Sequence, residues 1–190
     1  NCLQSVRRAQ DGLTVEVIVV DNASTDGSRE MLEPRFPDVR FVWSDVNEGF
    51  GKANNRAIAM ARGRYVLLLN PDTLLQEDTL TTLAGHMEAN PRTGACGCKI
   101  LNPDGTFAPE SRRTIPTISS SVCKALGLTS LFPTSRTFAR YYLGWLPEDE
   151  PGPVPVLSGS FMFFRADVLR ETGGFDERFF MYGEDIDLCL

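Results

Sequence analysis

Leu13-Thr14-Val15-Glu16-Val17-Ile18-Val19-Val20, followed at once by Asp21-Asn22-Ala23-Ser24-Thr25-Asp26-Gly27, is the stretch that decides the fold. β-branched residues dominate the run, and its end is too apolar for a strand with one wet face. It therefore predicts a buried parallel strand. The polar turn after it offers Ser24, Thr25 or Asp26 as the N-cap of a short helix reaching about Leu32. The alternation then repeats. Residues 39–43 read as a second strand, and Asn47-Glu48-Gly49-Phe50-Gly51 is a glycine turn opening a helix from Lys52 to about Ala61. Tyr65-Val66-Leu67-Leu68-Leu69 is a third buried strand, ended at Asn70-Pro71-Asp72 because proline cannot donate to a ladder. A helix over residues 77–89 follows. Strand and helix in strict alternation predict an α/β fold, a mostly parallel central sheet with flanking crossover helices.

The second half is less regular. Residues 95–101 read as a strand, Asn102-Pro103-Asp104-Gly105 as a turn, and Thr106-Phe107 as a hairpin return. Residues 115–153 mix Ser, Thr, Pro and aromatics. They predict a short helix or two and a mobile loop, of the kind that often carries specificity. Residues 154–165 form a strand interrupted by Ser158-Gly159-Ser160. A helical turn at 167–171 runs into the break Gly173-Gly174-Phe175-Asp176. At the start, Leu3 and Val6 have the spacing of the back half of an amphipathic helix, with no strand before it. The last helix, residues 184–190, stops without Gly, Pro or a basic last turn. Both ends are accordingly expected to be cuts in one longer domain.

Composition narrows the function. The 190 residues carry 19 Lys+Arg against 25 Asp+Glu, a net charge of −6, with 42% apolar and 23% charged residues. That is an ordinary globular composition. The acidic balance argues against sequence-independent nucleic-acid binding, which needs a cationic face to displace counterions. No apolar run approaches the ~20 residues of a membrane-spanning helix. The five cysteines, at 2, 96, 98, 123 and 189, form no CxxC pair and have one histidine to help them. They are read as buried reduced thiols rather than a zinc site.

Ligands of open parallel sheets bind beyond the carboxyl ends of the strands. Three clusters fall there: Asp21-Asn22, Asn47 with its glycines, and Asn70-Pro71-Asp72. Any one of them could be a simple turn, since Asp, Asn and Gly end strands everywhere. Three together read as a site. Neither Gly-x-Gly-x-x-Gly after the first strand nor a P-loop occurs, so phosphates would lack a glycine cradle. A diphosphate could instead be neutralised by a divalent cation on a carboxylate. Asp72 is the best-placed ligand, and by local chemistry equally a turn cap behind Pro71.

Taken in order, these segments and those that follow carry a resemblance. Val19-Val20-Asp21-Asn22-Ala23-Ser24-Thr25-Asp26-Gly27-Ser28, Asn47-Glu48-Gly49-Phe50-Gly51-Lys52-Ala53-Asn54-Asn55 and Leu69-Asn70-Pro71-Asp72 come first. Ser158-Gly159-Ser160-Phe161-Met162, Gly173-Gly174-Phe175-Asp176-Glu177-Arg178-Phe179-Phe180 and Tyr182-Gly183-Glu184-Asp185-Ile186-Asp187 complete the set. The chain resembles family 2 glycosyltransferases, in their bacterial rhamnosyltransferase-like branch. The resemblance implies the GT-A fold and an inverting, metal-assisted transferase using Mn²⁺ or Mg²⁺. It implies a nucleotide-diphosphate sugar as donor and a glycan or lipid-linked acceptor, in polysaccharide or cell-wall assembly. The implied setting is the cytoplasm, at the inner face of the plasma membrane where contact would be peripheral.

The resemblance also implies roles. Asp21 would contact the base or ribose, with Asn22, Asn47, Gly49, Lys52, Asn55, Asn70 and Asp72 completing the nucleotide-sugar site. Asn70-Pro71-Asp72 stands where many relatives have Asp-x-Asp, so Asp72 matches the metal-binding last Asp and Asn70 replaces the first. Asp185 matches the general base, with Glu184 the second choice, and Ser158 and Gly159 would border the acceptor. Residues 1–101 would then be the donor half and 102–190 the acceptor half. Family members usually begin with a strand ending in Tyr-Asn, which is expected to be missing here along with residues after the base helix.

The chemistry needs such parts whatever the name. A sugar hydroxyl holds its proton far above pH 7, so attack on an anomeric carbon needs a positioned carboxylate to receive it. The departing diphosphate gains negative charge that a divalent cation stabilises. A retaining double displacement would need a carboxylate nucleophile at the sugar, and no separate candidate is visible. Other residues take plainer readings. His86 is a helix-surface residue, Arg112-Arg113 a solvated pair or a grip on an anionic acceptor, and Glu148-Asp149-Glu150 a solvated loop. The aromatic runs 161–164 and 179–180 are core. Phe138, Tyr141, Tyr142 and Trp145 are core packing or a membrane contact. Two rivals stand beside the transferase: a silent nucleotide- or sugar-binding module, and a sugar nucleotidyltransferase, whose basic glycine-rich triphosphate loop is not visible.

Overall fold

The computed structural model describes all 190 residues. After helix α1 (Cys2–Arg8), strands β1 (Ile18–Asn22) and β2 (Arg40–Ser44) pair in parallel, from Ile18 opposite Arg40 to Asn22 opposite Ser44. β1 thus continues through Asp21 and Asn22, where the polar residues suggested a stop, because Trp43 and Ser44 extend the ladder. Between the two strands lies α2 (Ser28–Leu32). Its N-cap is Gly27 in the left-handed conformation, not Ser24, Thr25 or Asp26. The Asp26 carboxylate instead accepts from the Ser28 N–H at 3.1 Å and its hydroxyl at 2.6 Å, closing a side-chain turn ahead of the helix. Helix α3 (Phe50–Met60) starts at Phe50 rather than Lys52, since Gly49 at φ +89° makes the break. β3 (Tyr65–Leu69) lies where the sequence put it, and α4 (Thr79–Ala89) follows.

The later elements are β4 (Ala95–Cys96), β5 (Arg112–Arg113), α5 (Ile118–Ala125), α6 (Leu128–Leu131), β6 (Val156–Leu157), β7 (Phe161–Arg165), α7 (Ala166–Thr172) and α8 (Glu184–Leu188). β4 is much shorter than residues 95–101, but the hairpin beyond it forms through a Leu101–Phe107 bridge. The strands form three sheets, and the parallel expectation holds in the β1–β2 pair: in the second sheet β7 lies between β3 and β4 and runs antiparallel to both, and β5–β6 is an antiparallel pair. Leu69 faces Phe161 and Tyr65 faces Arg165 across the first pair. Phe161-Met162-Phe163-Phe164 is apolar on both faces and fully buried, so it belongs inside a sheet and not at an edge.

The two faces of β7 divide the core. Phe161 and Phe163 join Val6, Ala9, Leu75, Leu80, Leu83 and Met87. Met162 and Phe164 join Leu68, Leu157, Leu169 and Phe175. Alternation along one strand therefore ties α1 and α4 to one side and α7 to the other. The Gly173-Gly174 turn is fixed to α3 by Asn55, whose amide nitrogen donates to the Phe175 carbonyl at 2.8 Å. Its oxygen accepts from the Phe175 N–H at 2.9 Å. Asn55→Ala leaves the Phe175 N–H and carbonyl unpaired, and should cost about 1–3 kcal/mol and several degrees of melting temperature. Thermal unfolding of the variant checks this. An unchanged melting temperature would mean water replaces the clamp.

Candidate active site

At the end of β1 the chain turns sharply. Ala23 sits at φ +67°, a strained position for a residue with a Cβ, and the Ser24 N–H bonds the Asp21 carboxylate at 2.9 Å. One Asp21 oxygen is engaged there and the other has no partner in the protein. Asn22 latches the glycine turn beside it. Its amide nitrogen donates to the Asn47 side-chain oxygen at 2.7 Å and to the Gly49 carbonyl at 3.1 Å. Its oxygen accepts from the Glu48 N–H at 2.9 Å. Asn47 in turn accepts from the Gly49 N–H at 3.0 Å. Asn22 and Asn47 thus shape the turn with their own side chains, and Asn55 is committed to the Phe175 peptide. Lys52, in the first turn of α3, is half-buried and makes no ion pair.

Gly49 is required by a close approach. A Cβ there would lie 2.5 Å from the Phe180 carbonyl oxygen, which accepts the Phe50 N–H at 3.0 Å. Two motifs far apart in sequence, 47–51 and 173–180, therefore meet at the strand ends. Phe180 itself is exposed and Phe179 is half-buried outside both core clusters, so 179–180 are not core. The backbone of Phe180, not its ring, makes the contact that orders the turn.

At the end of β3 the Asn70 N–H donates to the Ser160 carbonyl at 3.0 Å, and the Asn70 carbonyl accepts from the Thr73 N–H at 3.2 Å. The strand end is thereby joined to the Ser158-Gly159-Ser160 turn. Asp72 is exposed and accepts no hydrogen bond in the protein, so it caps nothing. No group of three or more His, Cys, Asp or Glu could form a metal cage. A lone free carboxylate suits a hard cation that keeps its waters and is held jointly by a substrate's phosphates. Cys96 and Cys98 add no ligand set, since burial pushes both thiols up to about 11 and all five cysteines are free.

The second carboxylate comes from α8. Asp185 is 9% exposed, and each of its oxygens is held. Oδ1 accepts from the Ile186 N–H at 2.9 Å, while Oδ2 accepts from the Gly159 N–H at 3.3 Å and from the Arg113 guanidinium. A Cβ on Gly159 would come within 3.4 Å of that carboxylate, so the glycine lets the backbone close on it. Ser158 and Ser160 are tied to each other, hydroxyl to hydroxyl, at 2.9 Å. Glu184 is buried too, but its Oε2 has no partner.

Sequence reasoning marked Arg113 as a solvated cation or an acceptor grip and missed its pairing with Asp185. Burial is the largest influence and works against the arginine's charge, yet the Asp185 carboxylate and the Tyr141 hydroxyl together lift the guanidinium above its ordinary value. Arg112 is engaged as well, donating to the Leu146 carbonyl at 2.6 Å and the Pro147 carbonyl at 2.8 Å. Neither arginine is a free surface cation: β5 pairs with β6, Arg113 opposite Val156, and both side chains are half-buried with partners in the protein. Only that pairing brings Arg113 to Asp185, and no local signal marks it. His86 is exposed on α4, as its position suggested.

Alternating strands and helices, with a parallel β1–β2 pair beside the antiparallel β3–β7–β4 sheet and flanking helices, make this a mixed α/β domain of the GT-A class. The chain belongs to glycosyl transferase family 2, whose profile matches residues 1–173. It is 35% identical over 185 residues to N-acetylglucosaminyl-diphospho-decaprenol L-rhamnosyltransferase of Mycobacterium tuberculosis H37Rv, covering 92% of this chain and 59% of that protein. It is 29% identical to rhamnosyltransferase WbbL of Escherichia coli K12, over 75% of this chain and 53% of that one. The chain thus spans a little over half the length of these relatives. Among solved structures, the mannosyltransferase PcManGT of Pyrobaculum calidifontis, in complex with GDP-Man and Mn²⁺, superposes with a TM-score of 0.64. The identity is 22%, over 98% of this chain and 45% of that one. S. aureus TarS 1–349 in complex with UDP gives 0.63 at 19% identity, over 99% of this chain and 48% of that one. Both likenesses establish the fold.

Proposed function

We propose that this chain is the catalytic domain of an inverting glycosyltransferase that moves a sugar, rhamnose by analogy with its relatives, from a nucleotide diphosphate to a glycan or lipid-linked acceptor. Residues 1–101 serve the donor and 102–190 the acceptor, on the cytosolic side of a membrane. The observation that carries the reading is Asp185, a buried carboxylate held by Arg113 and the Gly159 N–H, in a chain whose other candidate carboxylate, Asp72, stands free.

In this reading Asp185 accepts the acceptor hydroxyl's proton as that oxygen bonds to the anomeric carbon and the bond from that carbon to the diphosphate oxygen breaks. Asp21 offers its free oxygen to the base or ribose. Asn22, Asn47 and Gly49 keep the turn in shape, with Lys52 near the phosphates and Asn70 beside the sugar. Asp72 would hold Mg²⁺ or Mn²⁺ together with the donor, and that cation would stabilise the diphosphate's developing charge. Ser158 and Gly159 border the acceptor.

Calorimetric titration of UDP, dTDP and GDP, each with and without Mn²⁺, tests the donor site. One nucleotide should bind in a metal-dependent way, and Asp72→Ala should weaken it by about tenfold or more, the loss of one charge-assisted contact. Equal, metal-independent binding by both proteins would remove Asp72 from the site. Binding of none of the three would remove the donor reading.

A further inference from the structure

Helix α5 is amphipathic the wrong way round for a water-exposed helix. Its serine at position 120 is 6% exposed and faces the protein, held in a capping box with Thr117. Ile118, Val122 and Leu126, at i, i+4 and i+8, form one stripe. That stripe faces solvent, with Ile118 87% and Leu126 69% exposed. Leu131, 68% exposed, and Phe132 extend the patch past α6, and Ile115 precedes it. A contiguous exposed apolar surface of this kind marks an interaction site.

Charge identifies the partner. Between Glu110 and Glu148 the chain has no Asp or Glu and five cations, Arg112, Arg113, Lys124, Arg136 and Arg140. With a total of −6, everything outside this segment sums to −11 (−6 − 5). Arg112 and Arg113 are used inside the protein, and Lys124, on the same side of α5 as Ser120, donates to the Tyr142 hydroxyl at 2.7 Å, while Arg136 and Arg140 are exposed and make no ion pair. An apolar stripe flanked by cations alone, on an otherwise acidic protein, is complementary to an anionic lipid surface. The aromatic stretch 138–145, read as core packing or a membrane contact, is not that surface: Ala139 and Leu143 are buried, and Phe138, Tyr141, Tyr142 and Trp145 are half-buried. No helix is long and apolar enough to cross a membrane, so contact through this excursion is in the plane of the lipid surface.

We infer that residues 115–140 dock the protein on an anionic bilayer, Ile118, Val122, Leu126 and Leu131 entering the headgroup boundary and Arg136 and Arg140 meeting lipid phosphates. The root of this excursion is closed by the Thr114 N–H to the Tyr141 carbonyl at 2.9 Å, one residue from Arg113 and its bond to Asp185. Docking there would bring the buried carboxylate to the membrane, where a lipid-linked acceptor presents its sugar. The inference deepens the lipid-linked reading, yet its test needs neither donor nor acceptor.

Co-sedimentation with vesicles of pure phosphatidylcholine, and of phosphatidylcholine with phosphatidylglycerol, decides it. The protein should bind the anionic vesicles and release them as salt rises. Arg136→Glu and Arg140→Glu should each weaken binding by about fivefold or more. Ile118→Ser with Leu126→Ser should weaken it by about tenfold or more at unchanged melting temperature and nucleotide affinity. Equal binding to both vesicle types, or wild-type binding by the serine variant, would overturn the proposal. So would the absence of vesicle binding together with a dimer that the serine variant dissociates, which would make the patch an interface between copies.

Discussion

Asp185→Asn should lower sugar transfer by about 10²–10⁴-fold while leaving nucleotide affinity in place. Asn keeps the shape of the side chain and, with its oxygen in the place of Oδ2, still accepts from the Gly159 N–H and the Arg113 guanidinium, giving up the Ile186 N–H on the other side. What it loses is the capacity to take a proton. Removing an interaction needed only as the hydroxyl attacks lowers kcat and kcat/KM together, with little change in donor KM. Glu184→Gln is the discriminating companion, because the two acids are neighbours on α8 and only Asp185 is tied to the Ser158–Ser160 turn. Steady-state kinetics with a lipid-linked acceptor, and nucleotide titration of the same proteins, separate the readings. A dead Glu184→Gln beside an active Asp185→Asn would transfer the role to Glu184. Nucleotide binding with no turnover in the unaltered protein would favour the silent module.

Much of this arrangement was legible locally, and the reason is physical. Tyr65–Leu69 has one dominant signal, apolar β-branched and aliphatic residues stopped by a proline, and the strand occupies those five positions. The donor half therefore follows from period and punctuation. Strand partners are another matter. β7 sits between β3 and β4 because four consecutive apolar residues must be covered on both faces, and that requirement names no partner. The same blindness hid Arg113. A pair of arginines after a hairpin looks solvated until the β5–β6 pairing turns it toward α8. Inverted amphipathicity in α5 was equally silent, since a stripe at helical spacing does not say which way it faces until Ser120 is seen to be buried. Asn22 and Asn55 show the reverse case. Motif residues expected to touch the donor spend their amide groups on the protein's own backbone and side chains, so part of the motif is the framework that holds the turn.

Arg113→Met should destabilise the fold by about 3 kcal/mol, because it strands the Asp185 carboxylate in a site of low exposure. The two side chains are 18% and 13% exposed, so water screens them little. Asp185 would keep only the Gly159 and Ile186 N–H groups. Asp185→Asn removes the charge that needs pairing, so the double variant should recover part of the loss. A double-mutant cycle in urea should give a coupling energy of about 1.5 kcal/mol or more, well outside the few tenths expected of independent sites. Arg113→Lys keeps the charge but not the planar fork, and should fall between wild type and Met. Stability alone would fit a purely structural pair, so kinetics supply the second readout. With Arg113 orienting the base, Arg113→Met measured well below its melting temperature should lower kcat and leave donor KM within about twofold. Additive stabilities would dissolve the pair. Intact kcat beside strong coupling would confine Arg113 to the scaffold, leaving Asp185 to be held by Gly159 and the first turn of α8.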